Sequence, residues 1–181
     1  MRITDILPSA ALPYIAAFQT IKLVQIVEIK PGHNAAMADI IRRSLEEFDI
    51  DLQGTVYVDP YLDDMYSHFT VPGKVYFIAV EDGVVLGGSG IAPLDDVNVE
   101  VCELQRMFVR KDARGKGVGQ MLMEKCLDAA KQMGFKRCYL ETFADMHKAI
   151  ALYERNDFNY LDAAMGNTGH FACKTWMLRD L

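Results

Sequence analysis

Apolar positions recur along the chain with two different periods, and the switches between them mark out its elements. From Ile21 to Ile29 β-branched residues dominate and Pro31-Gly32 closes the run, which predicts a strand. A helix follows, with Asn34 as its N-cap, Met37, Ile40, Ile41, Leu45 and Phe48 at helical spacing, and Arg42, Arg43, Glu46 and Glu47 outside. Asp59-Pro60 sets an aspartate cap before a proline at the first helical position, so a second short helix is expected to run to His68.

Lys74 to Glu81 and Val84 to Pro93 are apolar strand-like runs joined by Asp82-Gly83, a dipeptide suited to a tight hairpin turn. After a polar link from Leu94 to Asn98, Val99 to Val109 predicts another strand, which the charged run from Arg110 to Arg114 breaks. Val118, Leu122, Cys126, Ala129 and Met133 then share one helical face, and Gly134 supplies the stop. Lys136 to Thr142 predicts a strand, Asp145 to Asn156 a helix, and Phe158 to Ala164 and His170 to Leu178 two closing strands around the turn from Gly166 to Gly169. This order implies an α/β protein of the α+β type, a mixed sheet with helices on its faces.

Length and composition narrow the picture. A chain of 181 residues accommodates one ordinary domain, expected over residues 21–181, with residues 1–20 as an N-terminal extension. Pro8 and Pro13 interrupt that extension and Arg2 is its only basic residue, so it does not read as a secretory signal, and no apolar run is long enough for a transmembrane helix. The net charge of −6 argues against general nucleic-acid binding and is compatible with a cationic substrate. Cys102, Cys126, Cys138 and Cys173 are widely spaced within apolar segments and form no Cys-x-x-Cys pair, which points to buried reduced thiols, no zinc site and a cytoplasmic protein.

Candidate chemistry concentrates between Arg114 and Gln120. Gly115, Gly117 and Gly119 stand where a strand gives way to a helix, so bare N–H groups and the positive helix end can meet an anion. Arg114 and Lys116 add cations suited to a pyrophosphate. A nicotinamide oxidoreductase is the rival, since Glu141 lies about 20 residues beyond the glycines, as a dinucleotide fingerprint asks. The spacing Gly-x-Gly-x-Gly, with Gln120 in the last place, does not fit that fingerprint, and no Gly-Lys-Ser or Gly-Lys-Thr supports a nucleotide-hydrolysing loop.

Residues 103–109, Glu-Leu-Gln-Arg-Met-Phe-Val, followed by Arg114-Gly115-Lys116-Gly117-Val118-Gly119, resemble the core motif of the GNAT family of N-acetyltransferases. Residues 149–155 with Phe158 are similar to that family's second motif, and the order of elements matches its fold from about Ile21 to Leu178. The resemblance implies acetyl-coenzyme A as co-substrate and an amine, small or on a protein, as acceptor. By the same resemblance Met107, Phe108 and Val109 would meet the thioester and pantetheine arm, and Arg114, Gly115, Lys116, Gly117, Val118, Gly119 and Gln120 the pyrophosphate. Dimers are common among such proteins.

An amine attacks a thioester only when unprotonated, and the departing thiolate needs a proton or charge stabilisation, so a base and an acid are required. Glu103 is the candidate base, with an ion pair to Arg106 as the alternative use of its carboxylate. Tyr153 matches the tyrosine that protonates the coenzyme A sulfur in similar enzymes, and core packing is its alternative role. His147 and His170 are weaker candidates, and Tyr61, Tyr66 and His68 are expected to shape the acceptor pocket. Met146 and Asp157 depart from the family pattern, in which asparagine and glycine are usual; Asn156 or Asp157 could itself supply the left-handed turn that the glycine provides. A module that senses acyl-coenzyme A without chemistry would keep the loop and need no acid.

Overall fold

The computed structural model describes residues 23–50, 53–95 and 99–181, so the extension proposed for residues 1–20 lies outside the described residues. Seven strands form one sheet in the order β1-β2-β3-β4-β5-β7-β6. They are β1 (Gln25–Glu28), β2 (Val75–Glu81), β3 (Val84–Pro93), β4 (Val101–Val109), β5 (Arg137–Thr142), β6 (Asn159–Leu161) and β7 (Thr175–Asp180). Only β4 and β5 run parallel; every other neighbouring pair is antiparallel. Helix α3 (Val118–Gln132) lies across β1 to β4 on one face, and α1 (Asn34–Glu46) packs on β3 and β4 from the other. The short α2 (Met65–Phe69) and α4 (His147–Arg155) complete the α-helices among the described residues. This is no doubly wound parallel sheet, which removes the structural basis for a dinucleotide fingerprint.

Strand β2 reads as a near-continuous apolar run because both of its faces are covered: Phe77 and Ala79 enter the core beneath α3, while Tyr76 and Ile78 enter the core beneath α1. Cys102, Cys126 and Cys138 are fully buried and Cys173 nearly so, and all four are free thiols, as their apolar settings imply.

Several boundaries differ from the sequence pattern. Helix α1 is entered through a 3-10 turn over Pro31–His33, so Asn34 is its first residue rather than its cap, and the Asn34 side chain instead ties α1 to Asp64 and to the Tyr66 N–H. At its end Asp49 takes a positive φ of 55° and Ile50 donates to the Leu45 carbonyl, which carries Ile50 into the core and leaves Phe48 41% exposed. The same hydrogen-bond pattern ends α3: Phe135 donates to Ala130 and Gly134 to Lys131, so Phe135 packs on the core and Met133 stays 42% exposed. Asp59 does not start a continuous helix. Its carboxylate accepts from the Tyr61 N–H in a local turn, and a 3-10 turn over Leu62–Asp64 precedes α2. The closing strands are shorter and later than their apolar runs, since β6 stops at Leu161 and β7 begins at Thr175.

One packing device bears directly on the site. The Tyr76 ring lies against Gly88 and Gly90 of β3, where a Cβ at either glycine would fall 2.5 Å from a ring carbon. From there its hydroxyl donates to the Arg106 carbonyl at 2.7 Å. Tyr76→Phe would orphan that carbonyl, and a loss of ~1–3 kcal/mol of unfolding free energy is expected in urea titration.

Candidate functional site

Strand β4 pairs with β5 only from Val101 to Glu103, and beyond Glu103 the two parallel strands part. A bulge makes β4 diverge. Between Gly88 and Gly90 of β3 the partner strand advances from Phe108 to Gln105, and Arg106, at the extra position, takes a left-handed φ of 49°. The opening is lined by residues 103–108 on one side, by Glu141, Thr142, Phe143, Met146 and Tyr153 on the other, and by His170 and Cys173 from the segment before β7. The apolar pattern from His170 onward therefore serves the cleft rather than a strand, anchored by the Ala172 N–H on the Gly54 carbonyl.

The loop after β4 leads to the start of α3. Gly115 and Gly117 have φ of 75° and 85°, with open space where a Cβ would stand. No side chain caps α3, and the N–H groups of Val118, Gly119 and Gln120 donate to nothing among the described residues. Lys116 is exposed beside them. Uncapped donors, the helix dipole and an exposed cation make this end of α3 fit an anion.

Arg114 and Gln120 have other employment. The Arg114 guanidinium donates to the Val109 carbonyl at 2.8 Å, to Glu47 at 2.7 Å and to Ser44 at 3.0 Å, so it pins the loop to α1. The Gln120 amide exchanges hydrogen bonds with Asn156, both at 3.0 Å, and joins α3 to the end of α4. Asp157 follows with φ 60° and so provides the left-handed turn for which glycine is usual. Gly119 faces Leu152 and Met107, where α3, α4 and β4 converge.

Glu103 and Tyr153 both line the cleft. Burial pushes the Glu103 carboxyl up to about 7, with the neighbouring Glu141 adding to the rise; a 2.5 Å hydrogen bond from Gln105 and the charge of Arg106 oppose it. Glu103 is thus paired with Gln105, not with Arg106. Burial also raises the Tyr153 hydroxyl well above the usual phenol range, and the hydroxyl has no hydrogen bond among the described residues. Cys173, beside them, is pushed up to about 12 by burial and by both glutamates, so it remains a thiol.

The structure gives Glu141, Arg106 and Asp59 places that the sequence pattern did not. Glu141 accepts from the Tyr139 hydroxyl at 2.7 Å and has its carboxyl raised by burial, against the hydrogen bonds from Tyr139 and Thr168. Arg106 makes an ion pair with Asp59, the two side chains being 5% and 11% exposed. Burial opposes ionisation of Asp59, and the Arg106 charge and hydrogen bonds outweigh it, holding Asp59 below the usual range. Tyr61, Tyr66 and His68 do not line the cleft. Tyr61 is 53% exposed and stacks on His68 at 4.7 Å, and burial, reinforced by Arg106, lowers His68 to about 4. His147 is exposed at the start of α4, whereas His170 reaches the cleft and is lowered chiefly by burial.

Comparison with known proteins agrees with this fold. Residues 36–158 match the family model described as Acetyltransferase (GNAT) family. The chain is 43% identical over 149 residues to the uncharacterized N-acetyltransferase YjgM of Escherichia coli, covering 82% of this chain and 89% of that one. A GNAT-family acetyltransferase from Staphylococcus aureus superposes with a TM-score of 0.77 at 21% identity, over 87% of this chain and 99% of that one. The PaiA N-acetyltransferase of Thermoplasma acidophilum, solved in complex with coenzyme A, gives a TM-score of 0.67 at 14% identity, over 88% and 99%.

Proposed function

Because this chain belongs to the acetyltransferase (GNAT) family, we propose that it transfers an acetyl group from acetyl-coenzyme A directly to an amine held in the cleft between β4 and β5. The observation that carries this reading is the junction of an uncapped, glycine-opened helix start with a splayed cleft holding a raised carboxyl and an unpaired phenol. The N–H groups of Val118, Gly119 and Gln120, with Lys116, hold the pyrophosphate. Arg114 acts through the loop that it pins, and its side chain is a positioning group rather than a phosphate ligand. Backbone groups of Met107 and Phe108 along the diverging edge of β4 guide the pantetheine arm; the Val109 carbonyl is already held by Arg114.

Glu103 takes the proton from the incoming ammonium, and its raised pKa suits a base working near neutral pH. Tyr153 gives its proton to the departing sulfur and is itself protonated throughout the working range. Proximity and orientation in the cleft supply the rest of the acceleration. Buried free thiols support a reducing, cytoplasmic setting.

Calorimetric titration tests the cofactor assignment. Saturable binding of acetyl-coenzyme A is expected, with no heat from NAD. Lys116→Ala should weaken binding about tenfold, the loss of one charge-assisted contact. Arg114→Ala should weaken binding and also lower Tm, because Glu47 and Ser44 lose their partner. Well-folded protein that binds no acetyl-coenzyme A would end the acetyltransferase reading.

A further inference from the structure

Buried guanidinium groups are normally saturated with acceptors, because each unpaired N–H removed from water costs free energy. Arg106 is an exception. Its side chain is 5% exposed, Nη2 is bound to Asp59, and Nε and Nη1 are buried without a partner among the described residues. The group is fixed rather than wandering. The bulge sets its backbone, Tyr76 grips its carbonyl, and the Phe69 ring lies under the guanidinium with its centroid 5.2 Å from Cζ. Arg106 also lines the same cleft as Glu103 and Tyr153.

The charges around it are sorted along the cleft. Glu103 and Glu141 form an acidic end. At the Arg106 end, Asp59 is the carboxylate paired with the guanidinium, Lys74 lies outside the cleft within electrostatic reach of both, and burial lowers His170, which does line the cleft. An unpartnered guanidinium nitrogen facing a cleft suits an anionic oxygen, and a carboxylate matches it with a single charge.

We propose that the acceptor is a small amine that also carries a carboxylate, its amine end at Glu103 and a carboxylate oxygen on Nη1 of Arg106. This rests on the acetyl-transfer reading above, and it makes Arg106 a specificity-determining residue. A substrate lacking the carboxylate would leave the guanidinium unsatisfied, the kind of mismatch that discriminates strongly between otherwise similar substrates.

The test is steady-state release of free coenzyme A with matched triplets of acceptors: each common amino acid, its carboxamide and its decarboxylated amine. At least one carboxylate member should exceed its own amide and amine in kcat/KM by about tenfold or more. Arg106→Gln should abolish that preference while acetyl-coenzyme A binding is retained. Should that variant fail to fold because Asp59 is left unpaired, the pair Arg106→Gln with Asp59→Asn removes both charges together, and Arg106→Lys should restore part of the preference. Equal use of all three members of every triplet, or a carboxylate preference that survives loss of the guanidinium, would overturn the proposal and leave acetyl transfer standing. Failure of the wild-type protein to bind acetyl-coenzyme A in a parallel titration would overturn both.

Discussion

Glu103→Gln is expected to lower kcat/KM by ~10²-fold or more at pH 8 and to erase the acidic limb of the pH profile, the range usual for loss of a positioned general base. In the wild type that limb should centre near 7, the value to which burial and Glu141 raise the carboxyl. Below it Glu103 is protonated and cannot take the proton of the amine. The same shift makes a prediction about stability of the opposite sign. A carboxyl whose folded pKa lies above its unfolded value holds its proton more tightly when folded, so its contribution is full below about 4.5 and is lost as pH rises through about 7. Glu103→Gln should therefore leave stability unchanged near pH 4 and raise it at pH 8, by on the order of 3 kcal/mol for a shift of this size. A variant that is both less active and more stable at pH 8 is the signature of a buried base. An unchanged pH profile with full turnover would show that another group takes the proton, and Glu141 is the carboxylate placed to do so.

Tyr153→Phe should cut kcat by ~10²-fold with little change in acetyl-coenzyme A affinity. The hydroxyl has no hydrogen bond among the described residues, so its removal breaks no pairing, and the ring keeps its contact with Phe158 at 6.1 Å. Tm should stay within about a degree or two of wild type, consistent with a substitution that creates neither a cavity nor an orphaned buried partner. Rapid-mixing measurement of acetyl transfer separates the outcomes. A slowed chemical step with intact binding identifies the acid, while full activity would return Tyr153 to the core as a packing residue. A sensing module would have no turnover to lose in the wild type either.

The two closing strands show where linear pattern stops being informative. His170 to Leu178 alternates well enough for a strand, yet only Thr175–Asp180 pairs, because the Ala172 N–H is held by the Gly54 carbonyl and the Cys173 N–H closes a local turn on the His170 carbonyl. Met133 and Phe48 fail for a related reason. Each lies at the right helical phase, but a left-handed turn at Gly134 or Asp49 ends the helix and delivers the next apolar residue, Phe135 or Ile50, to the core.

What the sequence determined by itself was whatever depends on neighbours along the chain. The hairpin at Asp82-Gly83, the phases of α1 and α3, and the glycine-rich approach to a helix start are all local, since turn chemistry, periodicity and the helix dipole act within a few residues. Glu103 and Tyr153 came from the resemblance to the family's motifs, and both line the same cleft. Only the tertiary structure decided what each charged group is paired with. Arg114 binds Glu47, 67 residues away, and Arg106 pairs with Asp59, 47 residues away, rather than with Glu103. Those choices follow from burial and distance in the folded chain. A guanidinium beside several carboxylates pairs with whichever one shares its desolvated pocket, and that pocket exists only after the bulge in β4 and the Tyr76 ring have set where the strands part.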